Sequence, residues 1–199
     1  MPRLFAALEV PRDAALSLSL LRGGLVGARW IDTEYFHITL RFMGDVDRHM
    51  ATEIVGALDR VRRAWFFVGL SGVGVFGGKK PHSVFAAVAP STELLALQGE
   101  LERICQRLGL EPDPRKFTPH VTLARLKNTS PEQAAHYLSG RGDFSALPFK
   151  AGRFVLMSSK DSVGGGPYVI EEAYPLSAAK AAASGQSQQA VWGGVSDGR

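Results

Sequence analysis

A chain of 199 residues with 45% hydrophobic and 21% charged residues is long and apolar enough to bury a core, which excludes a disordered or fibrous protein. Its net charge of +4 permits an anionic substrate without requiring one. The single cysteine, Cys105, excludes an intramolecular disulfide, and no apolar run reaches the length of a membrane span.

The first half of the chain predicts the order strand, helix, strand, helix, strand. Apolar and β-branched residues predict strands over residues 4–10, 35–43 and 66–76. A first helix is predicted over residues 11–22. Asp47 is a typical N-cap residue followed by apolar residues at helical spacing, so it predicts the start of a second helix.

The second half predicts the same order again, with one additional strand at its end. The predicted strands cover residues 83–89, 117–125, 152–159 and 168–174. Three consecutive glycines in residues 161–166 predict a hairpin connection between the last two strands. Residues 178–199 are rich in Ala, Gly, Ser and Gln, and we expect them to form a disordered tail.

Two helices are predicted in this second half. Ser91 is expected to cap the first, which ends near Gly109 and carries Cys105 on its apolar face. Ser130 begins a capping-box sequence with proline at the first helical position, and Gly140 marks the end of that helix.

Equivalent features of the two halves recur at a nearly constant spacing. The two helix caps Asp47 and Ser130 are 83 residues apart, and other equivalent elements are separated by almost the same distance. This offset predicts an internal duplication. We therefore expect one domain over residues 1–177 with two halves, approximately 1–78 and 79–177, related by a pseudo-twofold axis.

The tetrapeptide His-x-Thr-Leu occurs twice, beginning at His37 and at His120, each time in a predicted strand. Successive side chains of a strand point to opposite faces, so His37 and Thr39 share one face, as do His120 and Thr122. A lone histidine on a strand is commonly a structural residue. The repetition in matching surroundings instead predicts that the symmetry brings both motifs to one cleft.

Two imidazoles on opposite sides of one phosphorus atom can open an RNA-type 2′,3′-cyclic phosphate. One removes a proton from water and the other protonates the leaving ribose oxygen, because an imidazole pKa of about 6.5 makes both forms accessible at neutral pH. We assign His37 as general acid and His120 as general base. Thr39 and Thr122 are expected to donate hydrogen bonds to the non-bridging phosphate oxygens.

Two arginines follow the motifs and are candidates for binding phosphate. Arg125 offers a planar, permanently charged group, but strict alternation places it on the opposite face from His120. The strand must therefore twist or end near Leu123 for Arg125 to reach the cleft. Arg41 shares the face of His37 by the same alternation and is a second candidate.

Phe42 and Tyr168 are candidates for stacking on a nucleobase, although packing in the core is the commoner fate of such residues. The sequence has no pattern typical of a zinc or magnesium site and no acidic cluster beside either histidine. We therefore expect catalysis without a metal or another cofactor.

Residues 36–45 and 117–125 resemble the two motifs of the 2H phosphoesterase superfamily. More narrowly, the chain is similar to the bacterial and archaeal RNA 2′,3′-cyclic phosphodiesterases once called 2′-5′ RNA ligases, and the resemblance covers residues 2–177. One departure is Met-Gly-Asp at residues 43–45, where the family usually has Leu-Gly-Glu.

The resemblance implies an α+β fold of two interleaved lobes, with mainly antiparallel sheets lining a central cleft and helices outside. It implies hydrolysis of a 2′,3′-cyclic phosphate to a 2′-phosphomonoester without metal. The matched residues are His37, His120, Thr39 and Thr122, and the position of Arg125 matches a phosphate-binding arginine.

Two alternatives to hydrolysis remain open at this point. The reverse reaction would join RNA ends through a 2′,5′ linkage, and a non-catalytic module would bind RNA ends or nucleotides without turnover. The expected partner is RNA with a 2′,3′-cyclic phosphate end or a small cyclic nucleotide. We expect the protein to be a monomer. We expect it to lie in the cytoplasm, since the sequence shows no signal-peptide pattern at its start and no disulfide framework.

Overall fold

A computed structural model describes residues 3–159 and 167–177. Its strands are β1 (Arg3–Glu9), β2 (Ala28–Trp30), β3 (His37–Asp45), β4 (Phe66–Phe76), β5 (Ser83–Val88), β6 (His120–Leu126), β7 (Ser145–Ala151), β8 (Arg153–Ser159) and β9 (Tyr168–Pro175). Its helices are α1 (Arg12–Ser19), α2 (Arg48–Leu58), α3 (Thr92–Arg107) and α4 (Pro131–Ser139). The predicted hairpin connection at 161–166 and the predicted tail at 178–199 lie outside the described residues.

The nine strands form one open sheet with the order β7-β4-β5-β6-β3-β1-β8-β9, and β2 pairs with β6 beside that path. All these strand pairs are antiparallel. The pair of β3 and β6 lies at the centre. Counted outward from it, β3, β1, β8 and β9 occupy the same positions on one side as β6, β5, β4 and β7 occupy on the other. The α+β class and the duplicated, mainly antiparallel architecture are thus confirmed, although the two halves share one continuous sheet. The division of the chain near residue 78 stays a prediction.

The predicted helix starts are confirmed by their capping contacts. The side chain of Asp47 accepts a hydrogen bond from the backbone N–H of Met50 at 2.8 Å. Ser91 caps α3 in the same way, and Ser130 forms the complete capping box with Gln133. These bonds satisfy backbone donors that the first turn of a helix leaves without a partner.

The core lies between the helices and one face of the sheet. α3 contributes buried residues at helical spacing, including Leu97, Leu101 and Cys105, as the sequence predicts. They belong to the same apolar cluster as Ile38 and Val121, which are fully buried in β3 and β6. Burial of each large aliphatic side chain contributes about 1.5–3 kcal/mol. The helices thereby cover one face of the sheet. The side chains next to Ile38 and Val121 in β3 and β6 point to the other face.

Two strands are not predicted by the sequence pattern. β2 has three residues, too few to show alternation, and its pairing with β6 is a contact between distant parts of the chain. β7 contains Pro148, which disfavours a strand in a sequence pattern. Since β7 lies at the edge of the sheet, the missing N–H of a proline is tolerated there.

Candidate active site

The two halves of the sheet meet where β3 pairs with β6, and the paired residues are Ile38 and Val121. Each is the middle residue of a His-x-Thr motif, and each is fully buried against the helices. Because strand side chains alternate, the histidine and threonine on either side of Ile38 and of Val121 point to the opposite face. One backbone pairing therefore places both motifs side by side.

In this antiparallel register His37 lies across from Thr122, and Thr39 lies across from His120. All four side chains line one cavity of about 900 Å³. The cavity lies over these four side chains, and Gln98, Glu102 and Gln106 of α3 also line it. The structure therefore brings the two imidazoles and the two hydroxyls to one cleft, as the sequence predicts.

Both imidazoles are held by the same local contact. Nδ1 of His37 lies 2.8 Å from the carbonyl oxygen of Tyr35, and Nδ1 of His120 lies 2.7 Å from that of Thr118. A carbonyl oxygen only accepts hydrogen bonds, so Nδ1 carries the proton in both rings. Nε2 is then left with a lone pair in the neutral form, available to a molecule in the cavity.

The pKa of His37 is lowered to about 4, chiefly by burial and additionally by the charges of His120 and Arg125, against the opposing effect of its hydrogen bond to Tyr35. Burial also lowers the pKa of His120, again against a backbone hydrogen bond, and Arg125 and Arg115 add to the decrease. Both rings are thus neutral in the free protein at neutral pH. A bound anion would favour the protonated form of either ring.

A β-bulge brings Arg125 to the cleft. In the pairing of β5 with β6, Phe85 lies across from Thr122 and the next residue, Val84, lies across from Ala124. Leu123 is therefore an extra residue that shifts the alternation by one position. Arg125 consequently lies on the same face as Thr122 and lines the cavity. The difficulty raised by strict alternation is removed by this bulge.

An equivalent bulge in β3 has the opposite consequence for Arg41. Ala7 lies across from Thr39 and Ala6 from Arg41, so Leu40 is the extra residue. The prediction that Arg41 shares the face of His37 is therefore wrong. The bulge instead turns the side chain of the next residue, Phe42, to the cleft. Phe42 occupies the position equivalent to Arg125.

The side chain of Phe42 is 43% exposed and lines the cavity. Its ring lies 5.6 Å from the ring of Phe5, which in turn lies 5.1 Å from the imidazole of His37. Phe42 and His37 are thus on one face. The pseudo-twofold axis relates an arginine on one side of the cleft to a phenylalanine on the other.

Arg41 borders the cavity but is held within the protein. Its side chain is 6% exposed, and its Nε lies 2.5 Å from the carboxylate of Glu102. Its two terminal nitrogens donate to the backbone carbonyls of Phe42 and Glu111. These contacts give Arg41 a structural role between β3, α3 and the loop after α3, and its role in substrate binding stays a prediction.

Aromatic rings surround both histidines and account for their desolvation. Tyr168 meets His37 edge-on at 5.0 Å between ring centroids and lines the cavity, and its stacking on a base stays a prediction. Phe76 and Phe85 contact His120 at 4.9 Å and 5.5 Å. Burial against rings of low polarity disfavours the charged imidazole, which lowers the pKa.

Sequence reasoning missed several residues that line the same cavity, among them Phe76, Arg115 and Lys116. The two basic residues precede His120 by only five and four positions, which is a usable signal for a site residue. With Arg125 they place three basic side chains on the side of the second motif. Phe42 and Tyr168 line the side of the first motif.

Within residues 3–159 and 167–177, no group of three or more His, Cys, Asp or Glu side chains is arranged to hold a metal ion. Among the helices described, none has the length and apolar character that crossing a membrane requires.

A sequence model of the family described as "LigT like Phosphoesterase" matches residues 8–86 and again residues 87–168. The chain belongs to this family. Each matched segment of this LigT-like phosphoesterase contains one His-x-Thr motif, in agreement with the duplication seen in the sheet. The resemblance to the 2H phosphoesterases is confirmed.

Curated relatives and a solved structure agree with this membership. The chain is 39% identical over 120 residues to the RNA 2′,3′-cyclic phosphodiesterase of Aeropyrum pernix, covering 59% of this chain and 68% of the relative. It is 30% identical over 136 residues to the protein of the same name from Archaeoglobus fulgidus, covering 66% and 77%. E. coli LigT, solved in complex with 3′-AMP, superposes with a TM-score of 0.71 at 22% identity, covering 88% and 99%. That likeness shows the fold.

Proposed function

We propose that this protein is an RNA 2′,3′-cyclic phosphodiesterase that hydrolyses the cyclic phosphate at an RNA end to a 2′-phosphomonoester. The observation that carries the proposal is the pair of imidazoles, His37 and His120, whose Nε2 atoms are left free beside one cavity. The family membership supports the reaction class, and the names of the curated relatives support the substrate.

In the proposed reaction a water molecule attacks phosphorus in line with the ribose 3′ oxygen. His120 removes a proton from the water, and His37 donates a proton to the 3′ oxygen as the P–O3′ bond breaks. One P–O bond forms and one breaks, so the product carries its phosphate on the 2′ oxygen. No metal or other cofactor takes part in this scheme.

The negative charge of the substrate favours the protonated form of His37, which the free site disfavours. The pKa of His37 is lowered to about 4, chiefly by burial, so in the free protein this ring is neutral at pH 7. An anionic cyclic phosphate placed between the rings stabilises the protonated imidazole by direct charge attraction. His37 therefore becomes a competent acid when substrate binds.

Three further residues are proposed to hold the phosphate. Thr39 and Thr122 would donate hydrogen bonds to the non-bridging oxygens, and Arg125 would pair with their negative charge. These contacts strengthen as charge grows on the oxygens in the transition state, and they therefore contribute to the rate as well as to binding.

The aromatic side of the cleft is proposed to receive the nucleoside. Phe42 is substantially exposed, and Tyr168 packs against His37, so both rings can contact a base or ribose next to the phosphate. The nucleotide in the E. coli LigT structure supports a nucleotide-sized ligand for the fold.

We further propose that the protein acts as a monomer in the cytoplasm, where its one cysteine, buried in α3, stays reduced.

The test is incubation of the protein with a nucleoside 2′,3′-cyclic phosphate in EDTA, with the product identified by phosphorus NMR. We expect the 2′-monophosphate to form at the same rate with and without chelator. Binding without turnover would instead identify a non-catalytic module, and loss of activity on chelation would identify a metal enzyme. Adding an RNA with a free 5′ hydroxyl tests the reverse, joining reaction in the same mixture.

A further inference from the structure

The wall of the cavity beside His120 is formed by the loop of residues 109–119, which connects α3 to β6. Arg115 and Lys116 of this loop line the cavity, although the proposed acid–base chemistry uses neither. Two basic side chains beside a site for an anion can bind a further negative charge of the same ligand. The contacts of Arg115 show how it is positioned for this.

Arg115 is held in one orientation by Asp113. Its Nε and one terminal nitrogen each donate to a different carboxylate oxygen of Asp113 at 3.1 Å, and its backbone N–H also donates to Asp113 at 3.1 Å. A guanidinium has about five N–H donors, so the terminal nitrogen that Asp113 does not engage remains able to bind an anion. The side chain is 72% exposed, which keeps it accessible.

The loop itself is anchored to the core. Glu102 of α3 accepts a hydrogen bond from the backbone N–H of Asp113 and pairs with the buried Arg41. Arg41 also donates to the backbone carbonyl of Glu111. The chain is thus fixed at two positions immediately before Arg115. A binding group on such an anchored loop loses little conformational freedom when a ligand arrives.

Arg115 lies in the loop that leads into β6 and lines the same cavity as His120. Arg125 lines the cavity from β6 itself and is the arginine proposed to hold the cyclic phosphate. In agreement with this placement, the pKa of His120 is lowered chiefly by burial and additionally by the charges of Arg125 and Arg115. At about 900 Å³ the cavity is near the upper end of the range for ligand pockets, about 300–1,000 Å³, and has room beyond a single cyclic phosphate.

We propose that Arg115, together with Lys116, forms a second phosphate subsite that binds the phosphodiester on the 5′ side of the terminal nucleotide. The inference rests on the proposed function and specifies its substrate, namely an RNA strand end in preference to a mononucleotide. Asp113, Arg115 and Lys116 together carry one net positive charge, which attracts the diester that an RNA strand carries on the 5′ side of its last nucleotide.

The experiment compares three substrates that carry the same cyclic phosphate. The first is a nucleoside 2′,3′-cyclic phosphate, the second is the same molecule with a 5′-phosphate, and the third is a dinucleotide ending in the cyclic phosphate. Values of kcat/KM are measured for the wild type, for Arg115→Gln and for Arg12→Gln, a matched change at an exposed arginine of α1 outside the cavity.

We expect Arg115→Gln to lower kcat/KM for the dinucleotide about tenfold more than for the nucleoside cyclic phosphate. A general effect of this charge on His120 changes both values by the same factor and cancels in the ratio. The dependence of log kcat/KM on log salt for the dinucleotide should also become shallower by about 0.7. Arg12→Gln should change neither the ratio nor the slope.

Equal losses on the nucleoside and the dinucleotide, or no loss on either, would overturn the subsite. An equal loss on the 5′-phosphorylated nucleotide and the dinucleotide would overturn its assignment to a diester. If the wild type hydrolyses none of the three, the proposed function fails separately. The subsite is then tested by the dissociation constants of a nucleoside 2′-monophosphate and of a dinucleotide ending in a 2′-phosphate, for which Arg115→Gln must weaken the dinucleotide selectively.

Discussion

Ile38 and Val121 face each other across the centre of the sheet, although 83 residues separate them in the sequence. Their pairing joins the two halves of a duplicated fold and fixes the register of both His-x-Thr motifs. The candidate active site therefore lies where the pseudo-twofold axis brings the two motifs together. Neither half alone contains both histidines.

Replacing either His37 or His120 with alanine should reduce kcat on a nucleoside 2′,3′-cyclic phosphate by about 10²–10⁴, the usual contribution of general acid–base catalysis. The control is His49→Ala, because the His49 side chain is 84% exposed on α2 and lies outside the cavity. Steady-state rates with each protein measure the effect. Full activity in either cleft variant would remove that histidine from the mechanism.

Replacing Arg125 with glutamine should lower kcat by about 10², since the lost contact stabilises charge that grows in the transition state. Arg125→Lys should recover part of the rate, because it restores the charge but not the planar pair of donors. The comparison of kcat and KM in the three proteins decides the role. A change confined to KM would show that Arg125 binds substrate and transition state equally.

The stability of the protein should fall on acidification because of His37. Its pKa is about 4 in the folded protein, mainly through burial, and about 6.5 when unfolded, so between these values the unfolded chain binds more protons. As far as His37 determines it, the free energy of unfolding is therefore greatest above pH 6.5 and decreases as the pH falls towards 4. The decrease from this residue amounts to at most about 3 kcal/mol.

Urea denaturation of the wild type and of His37→Gln at pH 7.5 and pH 4.5 measures this contribution. The variant should lose less stability than the wild type over the same change of pH. Because the pKa of His120 is also lowered, His120 acts in the same direction and remains in both proteins. Equal losses in the two proteins would show that His37 is not desolvated as described.

Breaking the pair of Arg41 and Glu102 should destabilise the fold by about 3 kcal/mol, because removal of one partner leaves the other charge largely buried and unpaired. We expect this loss in Arg41→Met and recovery of most of it in the double variant with Glu102→Leu. Urea denaturation of the three proteins gives the values. An unchanged stability in Arg41→Met with a raised KM would instead make Arg41 a substrate ligand.

The sequence predicts the features that depend on local signals. The two His-x-Thr motifs, the caps Asp47, Ser91 and Ser130, and the repeated element order all follow from residue type and spacing. The confirmed duplication follows from comparing these signals between the halves. Such features are accessible because each is encoded within one turn of helix or one strand.

Where strict alternation gives a residue the wrong face, the reason is a contact across the sheet. Leu40 and Leu123 look like ordinary apolar strand residues, and only their pairing with β1 and β5 makes each an extra residue. Strict alternation therefore assigned Arg41 to the cleft and Arg125 away from it, the reverse of the faces that the bulges produce. Arg115 was missed because a loop has no periodicity, and its position depends on anchors that lie elsewhere in the chain.

The central claim is that His37 and His120 act on one phosphate, and NMR titration with a nucleoside 2′-monophosphate, the proposed product, tests it most directly. The account predicts that the ring resonances of both histidines move together, with one dissociation constant and one equivalent of ligand, while those of His49 stay unchanged. A response of only one ring, or two responses at different ligand concentrations, would contradict it.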